Sequence, residues 1–295
     1  MQPADANREY GIAPPGYRLP GLTRLGTVRL QVSNLARSVA YYRDLLGLRV
    51  LHQNATTASL TVTDSDDPLL ELRYERGIRS VPRGGTLGLY HFAILLPSRA
   101  ALGQFVKHLA ASQVQFGAAD HLVSEAIYLW DADGLGIEVY ADRPRDAWQA
   151  NGRELAMATE RLDVPSVMDA AGSSTWHGMP AGTTMGHMHL SVGDLNAARS
   201  FYHHGLGLDT TVWSYPGALF LSAGGYHHHL GTNTWAMGAR APFESDARLL
   251  EWELVLPTQS DAEAAVSSMR AAGYDAAEGV MTDPWGTALR LTAAL

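Results

Sequence analysis

The chain repeats itself at a fixed spacing of 160 residues, and this limits its fold more than any other feature. Residues 27–48 read TVRLQVSNLARSVAYYRDLLGL and residues 187–208 read HMHLSVGDLNAARSFYHHGLGL. Each copy opens with the alternation of a strand, then passes through Asn34-Leu35 or Asp194-Leu195 into a helix-spaced apolar pattern that stops at Gly47 or Gly207. Asn and Asp cap helix starts, and Gly takes the left-handed turn that ends a helix, so each copy predicts a strand, a capped helix and a further strand. The same offset relates residues 89–98 (LYHFAILLPS) to 249–258 (LLEWELVLPT), which run into helical patterns over 99–112 and 261–272. Residues 131–140 (DADGLGIEVY) pair with 283–292 (DPWGTALRLT) at an offset of 152, so one loop is eight residues shorter in the second half.

Four modules follow, at about residues 26–75, 87–142, 185–236 and 248–293, each a strand, a helix and then several strands. The organisation expected is an N-terminal arm over 1–25, two modules over 26–142, a connector over 143–184 and two modules over 185–295. The connector is rich in Ala, Met and Gly, with one helix expected after Pro165. A connector of that length in a compact protein crosses a large distance or does a job.

Composition narrows the chemistry. With 46% hydrophobic and 18% charged residues the chain can bury a sizeable core, which excludes disorder for its bulk. It has twelve histidines and no cysteine. Disulfides, thiolate catalysis, iron–sulfur clusters and Cys-based zinc sites are therefore excluded. A metal would be held by imidazole and carboxylate, ligands that suit iron(II), manganese, nickel or zinc. A net charge of −8 supplies no basic face, so no nucleic-acid partner is expected. No apolar run approaches the roughly 18 residues of a membrane span, and residues 1–20 lack the pattern of a signal peptide. The cytoplasm is the expected compartment.

Four such modules, with His91 and His187 in their opening strands and DADGLGIE ending at Glu138, resemble the vicinal oxygen chelate superfamily. That superfamily includes glyoxalase I, extradiol ring-cleaving dioxygenases and antibiotic-resistance proteins. The resemblance covers nearly all of the chain after residue 25. It implies an α+β fold of four βαβββ modules paired into two cupped mixed-sheet units. It also implies metal positions at the start of a module's first strand and on its last strand. Those positions hold Thr27 and Glu71 in module one, His91 and Glu138 in module two, His187 and one of His227, His228 or His229 in module three, and Glu251 and Arg290 in module four. Thr27 and Arg290 depart from the ligand pattern, and a guanidinium cannot bind a cation.

Two pairings of the modules are open. Neighbour pairing puts Glu71, His91 and Glu138 in one site, and His187, a triplet histidine and Glu251 in the other. Pairing the second module with the third collects His91, His187 and Glu138 and leaves modules one and four a dead pair. The second arrangement is favoured, because two histidines and one carboxylate leave open positions on iron(II) for a chelating substrate and O2. The long connector supplies the crossing it needs.

Residues 120–140, DHLVSEAIYLWDADGLGIEVY, resemble the C-terminal part of extradiol catechol dioxygenases, where an active-site His precedes a Tyr that lies ten residues before the iron-binding Glu. Tyr128 is ten residues before Glu138, and His121 precedes it at a spacing slightly shorter than in some relatives. The run 227–229 resembles the segment that carries the family's acid–base histidine. The resemblance therefore implies a four-module bacterial catechol 2,3-dioxygenase acting on a catechol and O2. Its Fe2+, with Mn2+ as the alternative, would be held by His91, Glu138 and His187. His228 or His229 would be the acid–base residue, His121 and Tyr128 would hydrogen-bond the substrate, and relatives suggest a homo-oligomer. Two other activities stay open. A glyoxalase-like lyase or isomerase would use nickel or zinc, although Thr27 fits it poorly. A metal-free small-molecule binder of the same fold would leave so many imidazoles without a purpose.

Several residues have plainer readings. Strand alternation lets at most two of His227, His228 and His229 face one cavity. His189 shares the strand face of His187, placed to line a pocket or orient a ligand. Trp130, Trp213 and Trp235 can be read as walls of an aromatic pocket, with core filling the plainer reading, and His52, His108, His177, His203 and His204 as surface or packing residues. Glu138 lies between Ile137 and Val139 on an apolar strand, where an unpaired carboxylate is costly.

Overall fold

The predicted modules form in the computed structural model, which describes residues 2–3 and 10–294; residues 1 and 4–9 of the expected arm lie outside it. A short strand β1 (Gln2–Pro3) precedes the first module, which consists of β2 (Arg24–Val32), α1 (Leu35–Ala40), β3 (Arg49–Gln53), β4 (Thr57–Thr61) and β5 (Leu70–Tyr74). The second is β6 (Gly88–Leu95), α2 (Arg99–Ala111), β7 (Gly117–Asp120), β8 (Ser124–Trp130) and β9 (Gly136–Asp142). The connector carries β10 (Gln149–Asn151), β11 (Glu154–Leu155) and α3 (Val164–Ala170). The third module is β12 (Thr184–Ser191), α4 (Leu195–Ala198), β13 (Asp209–Val212), β14 (Ala218–Ser222) and β15 (Leu230–Asn233). The fourth is β16 (Arg248–Leu256), α5 (Gln259–Ala271), β17 (Val280–Thr282) and β18 (Ala288–Ala293). It is one strand short of the βαβββ pattern. The eight residues missing from its loop remove the counterpart of β7 rather than merely tightening a turn.

Local chemistry starts and stops the helices as expected. The Asn34 side chain accepts from the Arg37 N–H and the Asp194 side chain from the Ala197 N–H. Both helices run on into a π-helical turn, Tyr41–Leu45 and Arg199–Gly205. The chain then reverses at Gly47 and Gly207, whose φ values of +79° and +96° favour a residue without a side chain.

The sheets pair module two with three and module one with four. One sheet has the order β13-β14-β15-β12-β6-β9-β8-β7, the other β17-β18-β16-β2-β5-β4-β3. At each centre the modules' first strands run antiparallel, β12 against β6 and β16 against β2, and each module's last strand lies parallel to its first. Alternation sorts the side chains: Met188, Leu190, Phe92, Ile94, Ile137 and Val139 enter the apolar core, which draws residues from both sheets. His187, His189, His91 and Glu138 take the other face.

Hydrogen bonds tie together the modules that the sheets separate. The Tyr42 hydroxyl of module one donates to Asp131 Oδ2 of module two at 2.8 Å, and the Tyr202 hydroxyl of module three donates to Asp283 Oδ2 of module four at 2.9 Å. In each turn the other carboxylate oxygen accepts two backbone N–H groups, from Asp133 and Leu135 or from Trp285 and Thr287. The connector is no idle tether. Trp148 is fully buried, and α3 lies so close to α2 that a Cβ on Gly103 would stand 2.3 Å from the Val167 carbonyl oxygen. Arg18 forks onto Asp209 with two bonds of 2.8 Å, fastening the arm to module three. Among the described residues no helix is long and apolar enough to cross a membrane.

Candidate metal centre

Register brings three residues from two modules to one point. Across β12 and β6 His187 lies opposite Ala93, and across β6 and β9 Ala93 lies beside Glu138. The small Ala93 side chain thus leaves room between His187 and Glu138, while His91 sits two residues along the same face. Each of His91, Glu138 and His187 is buried and offers one ligand atom within 4.8 Å of the other two. His91 Nε2 stands 3.0 Å and His187 Nε2 3.2 Å from the same oxygen, Glu138 Oε2.

These residues fit a divalent cation on three counts. Two ligands at right angles, each about 2.1 Å from one ion, stand about 3 Å apart, and the observed spacings match. Next, His91 Nε2 is near the carboxylate without hydrogen-bond geometry, and the buried Glu138 Oε1 has no hydrogen-bond partner. Among the described residues only His187 Nε2, 3.2 Å from Oε2, meets the carboxylate as a hydrogen bond, which leaves His91 Nε2 and Glu138 Oε1 for an ion. Finally, the charges do not balance. Burial raises the Glu138 carboxyl, but His187 and then His91 outweigh it and hold the group well below its usual range. Burial drives His187 down to about 4, against the pull of Glu138. A dry anion beside a neutral imidazole costs several kcal/mol unless a cation or hydrogen bonds offset it.

The three residues face a cavity of about 340 Å³ whose walls include Tyr90, Phe220, Tyr215 and Ile137. His121 and Tyr128 line it together. His121 Nδ1 donates to the Ala158 carbonyl at 2.7 Å, which leaves Nε2 to accept the Tyr128 hydroxyl at 2.6 Å. Burial, reinforced by Glu138, raises Tyr128 well above 10, so it stays a phenol. His189 lines the cavity as well. Its ring meets that of His91 edge-on at 4.9 Å, its Nε2 has no hydrogen-bond partner, and burial holds it well below 6.5.

The triplet at 227–229 is not in a strand but in the irregular stretch between β14 and β15. His228 faces the cavity. His229 does not: its Nδ1 accepts the Ala223 N–H at 3.1 Å and lies 3.1 Å from the Ser222 hydroxyl. Of the two histidines expected to supply acid–base chemistry, the structure brings only His228 to the other site residues. Trp130 and Trp235 are not core filling either. They stand at the cavity wall 38% and 48% exposed, with Arg83 5.0 Å above the Trp130 ring, whereas Trp213 packs against the core. Met157 and Thr159 of the connector complete the wall. Sequence reasoning missed them and Tyr215, because no repeat or spacing marks a residue that reaches the cavity from an irregular segment, and it missed Tyr90 and Phe220 of β6 and β14, because an aromatic on a strand reads alike whether it faces a core or a cavity.

The neighbour-pairing ligands do not join this site. Glu71 and Glu251 lie in the other sheet, where Arg29 bonds Glu71 at 2.7 Å and Glu251 at 2.6 Å, and Arg290 bonds Glu251 at 2.8 and 2.9 Å. The Thr27 hydroxyl donates to the Pro68 carbonyl at 2.8 Å.

Comparison with known proteins gives a consistent picture. The model of the Glyoxalase/Bleomycin resistance protein/Dioxygenase superfamily matches residues 24–139 and 184–290. The catechol-2,3-dioxygenase of Bacillus subtilis (strain 168) is 40% identical over 260 residues, covering 87% of this chain and 90% of that protein. Among solved structures, a candidate dioxygenase of Bacillus subtilis superposes with a TM-score of 0.64 at 13% identity, over 94% of this chain and 86% of that one. Glyoxalase I of Zea mays superposes with a TM-score of 0.56 at 15% identity, over 92% of each chain. At such identities the structural likeness speaks for the fold alone.

Proposed function

The chain belongs to the Glyoxalase/Bleomycin resistance protein/Dioxygenase superfamily, whose fold serves several chemistries, and from its site we propose that it cleaves a catechol with O2 at the ring bond outside the diol. The observation that carries this reading is the convergence of His91, Glu138 and His187 on the floor of an aromatic-walled cavity. The 40% identity to a catechol-2,3-dioxygenase supports it.

In this reading the three residues hold iron(II), with manganese(II) as the alternative. Bound there, the ion would supply a Lewis acid for the adjacent oxygens of a catechol and for O2. The chain's own groups do the rest. Tyr90, Phe220 and Ile137 clasp the ring, and among the described residues no Arg or Lys lines the cavity to pair with a charged substituent. His228 takes the proton of a substrate hydroxyl and later returns one. The hydroxyl of Tyr128, aligned by His121, is placed to turn from Nε2 and donate to a substrate oxygen.

A glyoxalase-like lyase needs a fourth protein ligand of its own, and Glu71 is engaged by Arg29 in the other sheet. A metal-free binder leaves the buried Glu138 without a counter-charge. The test is direct. Anaerobically purified protein, supplied with iron(II) and catechol and then exposed to air, is expected to turn yellow as the ring opens. A solution that consumes no O2 and stays colourless overturns the proposal.

A further inference from the structure

Behind the cavity a line of hydrogen-bonding groups connects His228 to the protein surface. His228 lines the cavity and is 4% exposed. Its Nδ1 is 2.7 Å from Nδ1 of His227, which is fully buried. His227 Nε2 is in turn 2.9 Å from Oδ1 of Asp142, at the end of β9, whose side chain is 27% exposed. The Tyr226 ring lies against His227 with centroids 4.0 Å apart, and its hydroxyl donates to the same Asp142 oxygen at 3.2 Å.

Only one arrangement of protons satisfies this line with neutral rings. A carboxylate accepts and does not donate, so His227 Nε2 carries a hydrogen. A neutral imidazole has one N–H, so His227 Nδ1 bears a lone pair. The 2.7 Å contact between the two Nδ1 atoms then requires the hydrogen to sit on His228. His228, neutral in turn, has its free lone pair on Nε2, the nitrogen that its hydrogen-bonded edge leaves for the cavity.

We propose that Asp142 and His227 are positioning residues that fix His228 as the Nδ1–H tautomer and so present Nε2 to the cavity as an acceptor of protons. A ring held the other way would meet the substrate hydroxyl with an N–H and could not take its proton. Which edge of His228 faces the substrate is thus set at Asp142, 85 residues from His227 in sequence, by a side chain that touches no substrate. Use of that lone pair as a base rests on the proposed function; the tautomer does not.

The test is long-range proton–nitrogen correlation NMR of the imidazoles in the full-length protein, carrying diamagnetic zinc in place of any paramagnetic metal. His228 is expected to show a protonated Nδ1 and an unprotonated Nε2, and His227 the reverse. In Asp142→Ala, water replaces the carboxylate, and because water donates and accepts alike, the His228 signals are expected to become a mixture of both tautomers. Catechol turnover by the iron-loaded variant should fall about ten-fold in kcat with KM little changed, less than the roughly 100- to 10,000-fold that a positioned acid–base group contributes, because His228 is retained and only its tautomer is mixed. A protonated Nε2 on His228 of the unaltered protein overturns the proposal. So does an Asp142→Ala protein whose His228 stays wholly in the Nδ1–H form with undiminished kcat. If the tautomers are as stated but the unaltered iron-loaded protein leaves catechol intact, the functional reading fails and the tautomer assignment stands.

Discussion

The two sheets are built from the same modules, yet they treat the same four positions in opposite ways. Where the sheet of modules two and three has His91, Glu138, His187 and His189, the repeat offsets place Glu251, Arg290, Thr27 and Arg29 in the sheet of modules one and four. In the second set the charges cancel locally: Arg29 and Arg290 both bond Glu251, and Arg29 also bonds Glu71. In the first set a buried carboxylate meets only imidazoles, one of which is driven strongly towards its neutral form. One face balances its own charge; on the other, in the proposed reading, a cation completes the set. The fold supplies a cupped surface twice, and whether that surface becomes a metal site depends on charge at three or four positions.

This asymmetry breaks most readily at Glu138. Replacing Glu138 with Gln or His91 with Ala is expected to weaken metal binding by more than about 100-fold, since losing even a residue behind a ligand costs roughly 10 to 100-fold. Metal content after dialysis reads the effect, and either variant retaining one ion per chain speaks against the site. Removing the metal with a chelator should lower the melting temperature, because an ion present at 100 to 1,000 times its Kd stabilises by about 3 to 4 kcal/mol. Re-addition of metal should restore it, and Glu251→Gln should respond with the same shift as the unaltered protein.

The next expectation sharpens the contrast by testing where the halves are alike. Tyr42→Phe and Tyr202→Phe each remove a buried hydroxyl from an Asp carboxylate, so each should cost about 1.5 to 3 kcal/mol in urea unfolding. A much larger loss at one position would show that the two inter-sheet ties are not equivalent. The smallest effect belongs to Glu251→Gln. Its partners Arg29 and Arg290 are 29% and 37% exposed, so the loss should stay near or below about 1 kcal/mol, with metal content unchanged.

Much of this was legible in the chain, for local reasons. Asn34, Asp194, Gly47 and Gly207 announce helix ends because capping and left-handed turns depend on a residue and its near neighbours. The sheet pairing was legible only through chemistry, since β6 and β12 are brought together by ladder contacts that neither strand's pattern reveals, whereas their histidines do. The lost strand of module four looked like a shortened loop, because an offset counts residues without saying which element gave them up. Trp130 and Trp235 looked like core residues because an aromatic at a cavity rim and one in a core read alike along one chain. Asp142 gave no signal at all. Its tie to His227 crosses from the end of β9 to the turn before β15, and no periodicity links those positions.

The central claim, that one sheet is a metal site and its twin is not, is tested most directly by anomalous diffraction from crystals of the full-length protein soaked in manganese(II). One peak per chain is expected, within coordination distance of His91, Glu138 and His187, with none near Arg29, Glu251 and Arg290. An absent peak, or one lying away from those three residues, would contradict it.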